Sequence, residues 1–261
     1  MRVAPRTILT TTVFPVGARE AAEVILGWEE ERTGHVMCAA NVHMVMEAWD
    51  DPGFAGELDT ADLVFCDGRP LLWFCRLSGD RRAKQARGLD VMLNVCELAV
   101  RNGLPVGLYG GRPEVLAAVE RRLRAGYADL DIRYRFSPPF RPLTSEEDDE
   151  QVEAIKSSGV RVLLVALGCP KQERWMLQHR DRLPVTMLGI GAAVDFVTGA
   201  VQPAPRILHA AGLEWVHRLF TEPRRLWRRY ARTNSRFVVL ASSQLLRESR
   251  EHRASVRGGR G

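Results

Sequence analysis

Short apolar segments alternate with longer amphipathic ones, and nearly every apolar segment runs into a glycine or a small polar residue. Residues 36–40, 61–66, 106–109, 132–136, 160–167 and 185–190 read as short strands, and 160–167, β-branched and entered from Ser158-Gly159, as one buried on both faces of a parallel sheet. Between them, residues 43–49, 70–77, 90–101 and 113–126, the run that ends near Ser158 and the run that ends at His179 keep helical spacing. Thr144 and Glu147 form a capping box at the start of the fifth of these helices, and Asp51-Pro52-Gly53 and Asn102-Gly103 read as stops. The strand-then-helix order predicts an α/β fold: a Rossmann-like, doubly wound parallel sheet with right-handed crossovers.

In such a sheet all strand exits share one edge, and ligands bind outside the carboxyl ends. That edge would collect Asn41, Asp67-Gly68, Gly110-Gly111, Ser137-Pro138, the stretch Gly168-Cys169-Pro170-Lys171-Gln172-Glu173, and Gly191 with Asp195. Gly168 ends a strand and Pro170 suits a first helical turn, so Lys171, Gln172 and free backbone N–H groups converge where an anion such as a phosphate is favoured. An ordinary solvated turn is the alternative. Asp67 follows the apolar residues Leu63-Val64-Phe65-Cys66 and precedes Gly68, so its carboxylate is either a base for a substrate hydroxyl or the cap of the helix that Pro70 begins. Asp90 reads as a helix cap, and Asp195 as a cap or a group facing the ligand.

Composition narrows the chemistry. Cys38, Cys66, Cys75, Cys96 and Cys169 form no Cys-x-x-Cys pair and sit mostly in apolar segments, as reduced thiols of a cytosolic protein do. The six histidines lack zinc-ligand spacing, and Asp129-Leu130-Asp131 precedes its strand and so falls at the wrong edge for a metal-holding pair. No Gly-x-x-x-x-Gly-Lys-Ser/Thr loop is present, and Gly107-Leu108-Tyr109-Gly110-Gly111 falls short of a dinucleotide fingerprint. No signal-peptide pattern and no membrane-spanning apolar run is expected.

Charge divides the chain. From residue 203 onward there are thirteen arginines against four glutamates, a net of +9, which leaves the preceding 202 residues at −4 of the total +5. Residues 1–202 therefore read as a mildly acidic Rossmann-like domain and 203–261 as a basic helical appendage, with a disordered tail from about 248. Glu222-Pro223 separates two helices within it. In the second, Arg225, Arg229, Arg232 and Arg236 keep helical spacing beside a stripe of Leu226, Tyr230, Thr233, Phe237 and Leu240. Such a helix lies on an anionic membrane, binds a phosphate-rich substrate, or packs on the body with a solvated arginine face.

Taken together, these motifs resemble the WecG/TagA/CpsF glycosyltransferases over residues 36–230. The resemblance is carried by Asn41, Ala61-Asp62-Leu63-Val64 with Asp67-Gly68, Gly88-Leu89-Asp90, Leu108-Tyr109-Gly110-Gly111, Gly168-Cys169-Pro170-Lys171-Gln172-Glu173, Gly191 through Asp195-Phe196, and Gly199. The most specific stretch is Leu213-Glu214-Trp215-Val216-His217-Arg218-Leu219 with Glu222-Pro223-Arg224-Arg225-Leu226 and Arg228-Arg229-Tyr230. It implies inverting, metal-independent transfer of a sugar from a UDP-sugar to a polyprenyl-diphosphate-linked saccharide at the inner face of the plasma membrane, without a cofactor, in cell-surface polymer synthesis. By the same resemblance Asp67 is the general base and Asn41 and Gln172 hold the sugars or the donor. Arg218, Arg225 and Arg228 close over the diphosphate. Gly68, Arg87, Asp90, Gly110, Gly111, Gly168, Pro170, Lys171, Glu173, Gly191 and Asp195 complete the expected binding set. Three positions depart from the family pattern: Ala39 replaces a threonine, Gln85 an arginine for which Arg87 stands in, and Pro203 the arginine of an Arg-Ala-Pro run. Homo-oligomerisation is left open. A nucleic-acid-binding protein with an arginine clamp, or a nucleotide-sugar hydrolase, is the alternative.

Overall fold

The computed structural model describes residues 3–191, 193–199 and 223–258. A hairpin of β1 (Arg6–Ile8) and β2 (Thr11–Val13) comes first, with Leu9 at φ +55° in its turn, followed by α1 (Ala18–Trp28). Six strands then build one sheet: β3 (His35–Ala40), β4 (Leu63–Cys66), β5 (Val106–Gly110), β6 (Ile132–Phe136), β7 (Val162–Ala166) and β8 (Thr186–Gly189). Their order is β4-β3-β8-β7-β5-β6 and every pairing is parallel. The helices are α2 (Val42–Asp50), α3 (Pro52–Leu58), α4 (Arg69–Leu77), α5 (Gly88–Asn102), α6 (Pro113–Gly126), α7 (Ser145–Ser158), α8 (Lys171–His179), α9 (Ala193–Val197) and α10 (Pro223–Gly258).

The period-two alternation of each strand sorts its side chains into two cores. Val36, Cys38, Ala40, Val64, Cys66, Leu163, Val165 and Met187 join residues of α2, α3, α4, α7, α8 and α10. Met37, Leu63, Phe65, Val106, Leu108, Val162, Leu164 and Leu188 join α1, α5, α6 and α9 on the other face. Both faces being covered explains why the inner strands read as apolar runs, whereas β6, at the edge, alternates half-buried side chains with exposed Arg133 and Arg135. The expected doubly wound parallel sheet is therefore present. The open edge of β4 is covered by Phe14, whose N–H donates to the Val64 carbonyl at 2.7 Å.

Three local expectations differ from the structure. Asp51-Pro52-Gly53 ends one helix but also starts another, because Asp51 Oδ1 accepts from the Phe54 N–H at 3.0 Å and Pro52 suits the first turn of α3. Asp90 is not the cap of α5: the helix starts at Gly88 with Arg87 at the cap position, and Asp90 lies inside the first turn. The residues from about 248, expected to be disordered, continue α10 to Gly258. Arginine and alanine favour helix there, and the Gln244 side chain already bonds Glu248 one turn on, at 2.8 Å.

The appendage helix is anchored to the body. Phe237 and Ala241 are buried in the core beside α2, and Arg236 bonds both Asp50 oxygens at 2.6 and 2.7 Å. Gln244 grips the first hairpin, accepting from the Leu9 N–H at 2.8 Å and donating to the Thr7 carbonyl at 2.9 Å. Pro203 and the residues expected to form the first appendage helix lie outside the described residues.

Candidate functional site

The exits of β3 and β4 lie side by side. Ala40 pairs with Cys66 in register, and the Asp67 N–H donates to the Ala40 carbonyl at 2.8 Å. Asn41 follows at once. Its Oδ1 caps α2, accepting from the N–H groups of His43 and Met44 at 3.0 and 3.2 Å, so the amide nitrogen is the end left to meet a ligand. A Cβ on Gly68 would lie only 3.7 Å from Asn41 Cα and Cβ, which shows how closely the two exits approach.

Asp67 is half-buried and held by its surroundings. Its Oδ1 accepts from the Gly88 N–H at 2.8 Å, its carbonyl accepts from Gln85 Nε2, and the Ala86 N–H bonds the preceding Cys66 carbonyl at 2.9 Å. The loop before α5 is thereby laid along the end of β4. Of the two roles open for Asp67, capping of α4 is not what the structure shows. Gly68 holds that position, and the carboxylate turns instead to the N-terminus of α5. Gln85 and Gly88 were not anticipated as supports. Arg87 and Asp90 are half-buried on either side of Gly88.

The exits of β7 and β8 form a second group. Gly168, at φ +79°, turns the chain, and its carbonyl accepts from the Gln172 N–H at 2.9 Å. Pro170 is the cap residue of α8 and Lys171, its first residue, is exposed. Gln172 and Glu173 are buried, with 4% and 0% of their surfaces exposed. The Gln172 amide lies flat on the β8 exit: a Cβ on Gly189 would fall 2.9 Å from its Nε2, and one on Gly191 3.5 Å from its Oε1. Nε2 donates to Glu173 Oε1 at 2.6 Å. Burial pushes the Glu173 carboxyl above the usual carboxylate range, and the thiols of Cys38 and Cys169 upward as well.

Other expected residues lie apart. Gly110 is required by packing, because a Cβ there would come within 2.7 Å of the Ala166 carbonyl on β7. With Gly111, at φ +70°, it stands four strand positions from β4, about 19 Å at the usual strand spacing. The two glycines therefore belong to the far end of the edge. Asp195 falls on α9 and Arg225 and Arg228 on α10, but their side chains, like the whole of Arg218, lie outside the described residues. Asp131 stands before β6, at the amino edge, paired with Arg133 at 2.7 Å. Among the described residues no group of three or more His, Cys, Asp or Glu gathers to hold a metal, and no helix is long and apolar enough to cross a membrane.

The carboxyl edge thus holds the fixed Asp67 carboxylate beside Asn41, with the N-terminus of α8 two strands beyond β3. Residues 6–251 match the model described as glycosyl transferase WecG/TagA/CpsF family.

Proposed function

The chain belongs to the WecG/TagA/CpsF family of glycosyl transferases, and on that premise we propose that it transfers a sugar from a UDP-sugar to a polyprenyl-diphosphate-linked saccharide in cell-surface polymer synthesis. Asp67 takes the proton of the acceptor hydroxyl. The acceptor oxygen then attacks the anomeric carbon from the face opposite the diphosphate, and the bond to the diphosphate oxygen breaks with its electron pair leaving on UDP. The product is inverted at that carbon. No metal or cofactor enters this scheme: negative charge growing on the leaving group meets Lys171, the first N–H groups of α8, and Arg218, Arg225 and Arg228.

The observation that carries this reading is the way Asp67 is held. A carboxylate fixed at Oδ1 by the Gly88 N–H, level with Asn41 at the carboxyl edge, has the fixed orientation that a general base requires. Exposed Val238, Val239 and Leu246 on α10, with exposed Arg232 and Arg250, support peripheral contact with the anionic inner face of the membrane.

Calorimetric titration without added metal, against UDP, a panel of UDP-sugars and a mixed-sequence oligonucleotide, tests the donor. Micromolar to millimolar UDP binding is expected. Binding of the oligonucleotide with no heat from any UDP compound overturns the proposal. Product analysis with and without a lipid-linked acceptor tests the transfer, since free sugar released equally in both would mean hydrolysis.

A further inference from the structure

Two oxygens on the first turn of α8, Gln172 Oε1 and Glu173 Oε2, are buried without a hydrogen-bond partner. Buried side-chain oxygens nearly always have one. Glu173 faces Cys38 of β3 and the Cys169 thiol, and no described cation pairs with it. Its Oε1 is the acceptor for Gln172 Nε2, and Gly189 and Gly191 leave room for that same amide at the β8 exit. An amide nitrogen occupied in this way leaves the carbonyl oxygen as the end available for recognition.

We propose that Glu173 is a positioning residue for donor recognition: its hydrogen bond holds the Gln172 amide so that Gln172 Oε1 accepts a hydroxyl of the transferred sugar. The inference rests on the UDP-sugar reading above. A carbonyl oxygen can only accept, so its partner carries an O–H or N–H group. The sugar is assigned over the nucleoside because β8 is the direct neighbour of β3. The β8 exit therefore adjoins Asn41, and through it Asp67, where the anomeric carbon must sit for attack. The oxygen is shut off from solvent here, so a ligand that reaches it displaces part of its cover, which Gly191 borders. Burial favours the uncharged form of Glu173, in which a glutamine can replace it.

The full-length chain carrying Glu173→Gln, Glu173→Ala or Gln172→Ala would be titrated with UDP and with the UDP-sugar that the native chain binds. Glu173→Gln keeps an acceptor for Gln172 Nε2 and is expected within about twofold of native for both ligands. Glu173→Ala and Gln172→Ala should each weaken the UDP-sugar about tenfold and leave UDP within about twofold. The double variant should lose no more than Gln172→Ala alone, because one contact is lost in both. If Glu173→Ala fails to fold, Gln172→Ala and the Glu173→Gln rescue still decide. Equal loss for UDP and UDP-sugar, or no loss in Gln172→Ala, overturns the positioning role alone. A native chain that binds neither UDP nor any UDP-sugar overturns the donor reading and this inference with it.

Discussion

The exits of β4 and β7 stand on the same sheet edge but are finished in opposite ways. At β4, the Asp67 N–H, its carbonyl and its Oδ1 each have a partner, in Ala40, Gln85 and Gly88. At β7, the first turn of α8 keeps two buried oxygens with none. A group that must take a proton in the transition state gains from being rigid before the substrate arrives. A group that recognises a substrate gains from a vacancy that only the right ligand fills, since rejecting analogues depends on leaving a buried polar atom unpaired. The contrast suggests chemistry at the satisfied exit and selection at the unsatisfied one.

The sharpest way to break that contrast is Asp67→Asn. The new side chain still accepts from Gly88, so the loop should hold, while turnover should fall by about 10²–10⁴ with UDP binding within about twofold. A parallel loss of UDP affinity, read by titration, would make Asp67 a binding residue. Gly189→Ala attacks the other exit: its methyl would lie 2.9 Å from Gln172 Nε2 and 3.1 Å from Met176 Cε. Both are side-chain ends able to move. We expect about tenfold weaker UDP-sugar binding and a stability loss of about 1–3 kcal/mol by denaturant titration, with UDP affinity little changed. Unchanged UDP-sugar affinity with the stability loss present would detach Gln172 from recognition.

Smaller effects refine the picture. Gln85→Ala removes the bond to the Asp67 carbonyl and should lower turnover a few-fold, for about 1 kcal/mol of lost support. An unchanged rate would mean that the bond to the Asp67 carbonyl does not help to orient the carboxylate. Thr144→Ala lies away from both exits. It should cost about 1 kcal/mol of stability through the lost cap of α7 and leave steady-state kinetics unchanged. The Arg141 guanidinium and the Thr144 N–H hold Glu147 down to about 2. A carboxylate lowered in the folded state stabilises above its unfolded value, about 4.3, and that contribution disappears as pH falls through about 2. Acid titrations of the native chain and Glu147→Gln, which removes the titrating carboxyl, should therefore converge below that window. Curves that stay parallel would show that the box carries no such linkage.

Much of this was legible in the sequence because it is local. Five of the six strands are largely apolar runs closed by turn residues, β6 alternates instead, and the Thr144-Glu147 box appears in the structure with both of its bonds. Asn41, Asp67 and Gln172 reach the expected edge because parallel topology leaves their strands no other exit. What stayed hidden depends on partners distant in sequence. Gly88 is 21 residues from Asp67, and no periodicity marks a backbone N–H as the mate of one carboxylate. The burial of Glu173 was equally invisible, because a glutamate in a polar first turn usually faces water and packing of α8 on the sheet encloses this one. α3 was missed for a different reason: proline and glycine after an aspartate mark a stop and a start with the same letters.

The grip of Gln244 on the first hairpin also bears on how the chain is made. Leu9 and Gln244 are 235 positions apart, a span that a ribosome adding 5–20 residues per second needs roughly 10–50 s to cross. During that interval the hairpin turn has no partner for the Leu9 N–H, and the core beside α2 lacks Phe237. The sheet can assemble as its strands emerge, but its seal arrives last. Truncated or stalled chains that end before α10 would expose that unsealed face, and they are the species on which quality control would be expected to act.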